Sequence, residues 1–189
     1  MLYEADIKAA LTVLREGGII LYPTDTIWGL GCDATNISAV EKIFGIKSRE
    51  TTKSLLILVN GEDMLERYVM DVPEVAYELA AVSDLPLTVI YPEGRNLAEG
   101  VCNADGSVGI RICKEEFCSE LISRFRKPIV STSANFSGQP SPSIFDEIDK
   151  DLASMVGYIV KYRQDDRQKH RASPVIKIEN GGIIKIIRE

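Results

Sequence analysis

The chain has 189 residues, a net charge of −6 and a sequence pI near 5.0, which excludes a surface built throughout to grip nucleic acid; affinity for phosphate backbones comes from clustered Lys and Arg. Hydrophobic residues make up 45% and charged residues 26%, the balance of an ordinary soluble globular protein rather than a disordered or fibrous one. The length fits a single domain spanning 1–189, and no apolar run approaches the roughly 20 residues a membrane span requires.

The N-terminus, "MLYEADIKAALTVLREGG", carries acids and reads as an amphipathic helix rather than a signal peptide, so a cytoplasmic location is expected. Ile7, Ala10, Leu11 and Leu14 recur at helical spacing, and Gly17-Gly18 supplies the stop. "IILY" (Ile19–Tyr22) then reads as a short β-branched strand cut by Pro23. The loop "PTDTIWGLGCDA" (Pro23–Ala34) offers hydrogen-bonding groups on Thr24, Asp25 and Thr26, close backbone approach at Gly29 and Gly31, and the only tryptophan, Trp28. It is either a turn around a packed Trp or a binding loop. It is not a dinucleotide fingerprint, because position 34 is Ala, and no Walker A motif occurs anywhere.

Ser38-Ala39-Val40-Glu41 has the capping-box pattern and starts a second helix, with Val40, Ile43 and Phe44 apolar and Gly45 ending it. "KSRETTK" (Lys47–Lys53) places three cations within seven residues. They suit a polyphosphate, or they are cations at a helix C-terminus facing water. "SLLILV" (Ser54–Val59) reads as a strand buried on both faces; Asp71-Val72-Pro73 opens a helix with Val75, Ala76 and Leu79 inward. "LTVIY" (Leu87–Tyr91) and "VGIRI" (Val108–Ile112) are further strands, and Phe117, Cys118, Leu121, Ile122 and Phe125 form a helical stripe.

"PIVSTSANFSG" (Pro128–Gly138) runs an apolar strand into hydroxyls and an amide. Such a stretch can cradle an anion or a nucleotide; one turn before a helix would need only one such residue. Ser143-Ile144-Phe145-Asp146 has a helix-start look. "KYRQDDRQKHRAS" (Lys161–Ser173) is a solvated, mobile loop or a phosphate-sensing lid. The tail holds "YIV" and a hairpin, "PVIKI" and "IIKII", around Asn180-Gly181-Gly182. Strands and helices interleave without strict regularity, which predicts an α/β domain with a twisted mixed sheet. Cys32, Cys102, Cys113 and Cys118 form no C-x-x-C pair, and His170 is the only histidine. No metal site is expected, and the thiols read as reduced.

Together "YPTDTIWGLGCDA", "KSR", "SLLILV", "PLTVIY", "VGIRI" and "STSANFSG" fall in the order and spacing of the YrdC-like family, the L-threonylcarbamoyladenylate synthases, which the chain resembles in its single-domain form. The resemblance implies a twisted mixed sheet with flanking helices around a concave, basic-lined cavity. It implies synthesis of L-threonylcarbamoyl-AMP and pyrophosphate from L-threonine, bicarbonate and ATP, with Mg²⁺ arriving on the triphosphate. A tRNA-modifying complex then transfers the threonylcarbamoyl group to adenosine 37 of tRNA, with at most weak direct tRNA binding by this chain. Carried over by position, Lys47 and Arg49 are the catalytic K-x-R that grips the phosphates. Lys53, Ser131, Ser133, Asn135 and Arg188 join them on the nucleotide, and Thr24, Thr26, Trp28, Arg111, Thr132 and Ser173 hold threonine. Leu58 stands where many relatives, mainly the longer ones, have histidine, and Ser83–Thr88 reads "SDLPLT" where the family has an aromatic-glycine corner. The competing function is a non-catalytic double-stranded RNA or tRNA-binding module of the same fold.

Overall fold

The computed structural model describes residues 3–47, 55–83, 85–179 and 181–189. Helix α1 (Glu4–Arg15) buries Ile7, Ala10, Leu11 and Leu14, the stripe its apolar period dictates. The chain leaves it through Gly17 at φ +69, a left-handed conformation open to glycine. Strand β1 (Ile20–Tyr22) follows, and its antiparallel partner β2 (Gly29–Gly31) is a strand where composition had pointed to a loop. Small residues fit there because a Cβ on Gly31 would lie 2.6 Å from the Tyr22 ring. The closeness that glycine permits is therefore to the protein's own core.

Helix α2 (Ile37–Lys47) begins one residue before the expected capping box, with Asn36 Oδ1 accepting from the Ala39 amide at 3.3 Å. It also runs through Gly45 instead of ending there. One interior glycine costs only about 1 kcal/mol, and burial of Phe44, Ile46 and Lys47 carries the helix on.

The rest comprises β3 (Leu56–Val59), α3 (Glu62–Tyr68), α4 (Glu74–Val82), β4 (Thr88–Tyr91), β5 (Val108–Ile112), α5 (Glu116–Phe125), β6 (Ile129–Ser133), a 3-10 turn at Phe145–Glu147, α6 (Lys150–Ser154), β7 (Tyr158–Ile159), β8 (Val175–Ile178) and β9 (Ile184–Arg188). α3 and α6 were not foreseen; each is too short to show an apolar period. Ala76 is buried in α4 as expected, while Val75 and Leu79 are only partly covered.

The strands form one mixed sheet in the order β7-β1-β2-β6-β3-β5-β4-β8-β9. β3 runs parallel to β5 and antiparallel to β6, and β8–β9 is the expected hairpin. α1 packs on α5, and Tyr3 meets the rings of Phe117 and Tyr162 edge-on. No helix among the described residues is long and apolar enough to cross a membrane.

Candidate active site

Strand alternation decides which side chains leave the core. Leu58 pairs with Arg111 and Leu56 with both Gly109 and Ser131, so Arg111 and Ser131 rise from the same face of the sheet. Above this face lies a cavity of about 350 Å³, which brings together Thr24, Thr26, Trp28, Arg111, Ser131, Thr132, Ser133, Ser173 and Arg188 from loops and strands far apart in sequence. Ser131, Thr132 and Ser133 are not a turn after the strand. They are its last residues, Thr132 pairing with Leu30 and Ser133 with Gly29.

Lys47 and Asn135 sit behind the Ser133 corner of this cavity. Lys47 is 4% exposed at the end of α2, so the reading of it as a cation facing open water is wrong. Its ammonium donates to Ser133 O at 2.9 Å, to Asn135 Oδ1 at 2.9 Å and to the Asn135 main-chain oxygen. The Ser133 hydroxyl donates to Asn135 Oδ1, the Asn135 amide to Gln139 O, and the Ser137 hydroxyl to Lys47 O. The S-T-S-A-N-x-S-G stretch is thus folded around the Lys47 ammonium. Arg49 and Lys53 lie outside the described residues.

At the other end Arg111, 3% exposed, donates from Nη1 to Ser173 Oγ at 3.1 Å, and its Nη2 lies 2.9 Å from Asp25 Oδ1. Its Nε is buried without a hydrogen-bond partner. The Ser173 hydroxyl also meets Thr88 Oγ1 at 2.7 Å, and Ser173 O accepts from Arg188 Nε and Nη2 at 3.2 and 2.7 Å. Ser173 therefore ties β4, β5 and β9 together at one point. Burial pushes the Asp25 carboxyl above its ordinary range, and the Arg111 charge and the Cys113 thiol pull it back only in part.

The "PTDT" loop spends its hydroxyls partly on itself. Thr24 Oγ1 donates to Ile27 O at 2.8 Å and accepts from the Thr26 amide at 3.1 Å, with the two threonine hydroxyls 3.0 Å apart. Turn and cavity wall are here the same residues. Trp28, 4% exposed, packs its ring 5.0 Å from Phe145 and closes one wall. The Lys161–Ser173 segment is anchored rather than loose. Arg163 Nη1 donates to Thr24 O at 3.0 Å, and Ser143 Oγ to His170 O at 3.0 Å.

Sequence reasoning missed Thr88 and gave Asp25 no defined role. A threonine leading the alternation of "LTVIY" was the available signal for the first; nothing local marked the second. The departures from the family pattern are both accommodated. Leu58 is fully buried beside Arg111, and the Ser83 corner is held by Lys114, whose ammonium donates to Ser83 O at 2.9 Å. The four cysteines are free, three of them buried. Among the described residues no three His, Cys, Asp or Glu gather as a metal site.

The chain as a whole is similar to known proteins. The Sua5/YciO/YrdC family model, described as telomere recombination, matches residues 12–189. The chain is 33% identical over 160 residues to the threonylcarbamoyl-AMP synthase of Pseudoalteromonas translucida, covering 83% of this chain and 86% of the relative. It is 35% identical to the putative threonylcarbamoyl-AMP synthase of Methanocaldococcus jannaschii, covering 98% and 88%. The crystal structure of P. abyssi Sua5 complexed with L-threonine superposes with a TM-score of 0.84 at 29% identity, covering 96% of this chain and 53% of that one. The chain thus spans about half the length of the solved Sua5 protein. With its ordered motifs, its twisted mixed sheet and a match across nearly its full length, the chain belongs to the Sua5/YciO/YrdC family.

Proposed function

We propose that the chain is a threonylcarbamoyl-AMP synthase, converting L-threonine, bicarbonate and ATP into L-threonylcarbamoyl-AMP and pyrophosphate for modification of tRNA at adenosine 37 by a separate transfer complex. The observation that carries this reading is the division of one cavity. A buried guanidinium with an unpartnered Nε stands at one end, and a ring of small hydroxyls folded around a lysine stands at the other. The relatives named as synthases and the threonine-bound Sua5 support it.

In this reading Arg111 and Ser173 receive the threonine carboxylate, and Trp28 with Thr24, Thr26 and Thr132 walls its side chain. The amine, losing a proton, captures the carbon dioxide that bicarbonate yields on loss of water, and a carbamate oxygen attacks the α-phosphorus as pyrophosphate leaves. Mg²⁺ enters with the triphosphate as part of the substrate. Ser131, Ser133 and Asn135, with Lys47 beneath them and Arg49, Lys53 and Arg188, hold the nucleotide. The protein's work is to align two anions, offset their repulsion and exclude water from an unstable carbamate. An Arg–carboxylate contact made by a buried guanidinium is strong and directional, which suits an amino acid that must present its nitrogen in one place.

Pyrophosphate release measured with ATP, threonine and bicarbonate each omitted in turn tests the proposal. Release should collapse in all three omissions. Equal release without threonine would make the chain a plain ATPase.

A further inference from the structure

Asp25 meets Arg111 from behind. It does not line the substrate cavity; it borders a separate apolar cavity of about 370 Å³ under α4, with Ala76, Leu79, Val89 and Ile110. Its side chain is 10% exposed and that of Arg111 3%, so solvent screens the pair little. Ser173 Oγ accepts a hydrogen bond from Nη1, and Asp25 Oδ1 lies 2.9 Å from Nη2 as an ion pair without hydrogen-bond geometry, so each tip of the guanidinium has a neighbour. A purely structural role would not need a carboxylate here, since a buried ion pair is often replaceable by neutral groups without loss of stability. Burial opposes a charge on Asp25, and the Arg111 cation favours it.

We propose that Asp25 is a positioning and specificity-determining residue: it pairs with Arg111 and offsets its formal charge, making Arg111 a directional receiver for one carboxylate and a poor contact for phosphate, while Arg188, which donates to Ser173 O at the same end, is the cation left to the triphosphate. The inference rests on the reading of Arg111 as the partner of the threonine carboxylate. Threonine is a zwitterion with no net charge, whereas the triphosphate is a polyanion. An uncompensated buried guanidinium would draw the polyanion more strongly than the amino acid, and the two substrates would compete for one end of the cavity. A carboxylate behind the guanidinium leaves its N–H directions intact and adds repulsion that grows with the charge of the anion.

The test uses Asp25→Asn, which keeps shape and an acceptor oxygen, and Asp25→Ser, a smaller replacement that guards against misfolding of the first. L-threonine binding is measured by calorimetry with and without millimolar inorganic phosphate, alongside melting curves. In the parent protein phosphate should shift the apparent threonine affinity by less than about twofold. In either folded variant it should compete and weaken threonine by about tenfold. Variants as indifferent to phosphate as the parent, or weakened equally with and without it, would reduce Asp25 to a scaffold residue and overturn the inference. A parent that binds no threonine at all would instead overturn the assignment of Arg111, and the inference with it.

Discussion

The two ends of the cavity bury a cation in different ways. At the Ser133–Asn135 end, the partners of the Lys47 ammonium among the described residues are uncharged carbonyl and amide oxygens. At the Arg111 end a carboxylate and a hydroxyl meet the two Nη atoms, and Nε has no partner. Carbonyl oxygens satisfy N–H groups without contributing a formal charge, whereas a carboxylate cancels one. The first end is suited to charge that develops during phosphoryl transfer, and the second to orienting a group whose charge does not change. Lys47 also has the chain from Ser133 to Ser137 folded on it, whereas Arg111 joins β5 to the Ser173 hydroxyl.

Removing each cation should therefore separate the two ends. Lys47→Met should lower turnover by something like 10²- to 10³-fold, the usual loss of one preorganised donor to developing charge. It should also cost about 1–3 kcal/mol of stability, because buried oxygens of Ser133 and Asn135 lose their donor. Melting curves and a pyrophosphate assay read both effects. Stability lost with turnover intact would make Lys47 scaffold alone and erase the contrast. Arg111→Lys keeps the charge but not the fork, so it should raise the threonine KM by about tenfold or more while the ATP KM stays within about twofold. An equal rise in both constants would mean that the two ends do not divide the substrates.

Much of the fold was legible because it rests on periodicity. The stripe of α5, the strand at "VGIRI" and the hairpin of β8 and β9 lie where pattern placed them, although β5 is buried on both faces rather than alternating. β2 was not legible, because "GLG" carries one side chain between two glycines and so no alternation; its strand character comes from pairing with β1 and β6, a tertiary cause. The site divided in the same way. Hydroxyl-rich and basic stretches announced Ser131 to Asn135 and Lys47. The burial of Lys47 was hidden, since a lysine at a helix end looks alike whether water or a folded turn lies beyond it. Asp25 and Thr88 were hidden because their roles depend on Arg111 and Ser173, 86 and 85 residues away along the chain.

The smallest expected effect asks whether the carboxylate at the Arg111 end is held at a cost. Burial raises the Asp25 carboxyl above its ordinary value near 3.8, with Arg111 opposing the rise. A group raised on folding binds its proton more tightly in the folded chain. Its stabilising contribution is full below the unfolded value and is lost as pH climbs through the raised one. Each unit of elevation corresponds to about 1.4 kcal/mol. Asp25→Asn has no such proton. The stability of the parent relative to this variant should therefore be greatest near pH 3.8 and decline as pH rises, levelling once the carboxyl is fully ionised. Urea unfolding midpoints of both proteins, taken from pH 3.8 towards neutrality, measure that difference. If it grows with pH instead, the attraction of Arg111 outweighs burial, and the carboxylate stabilises the fold as well as orienting the guanidinium.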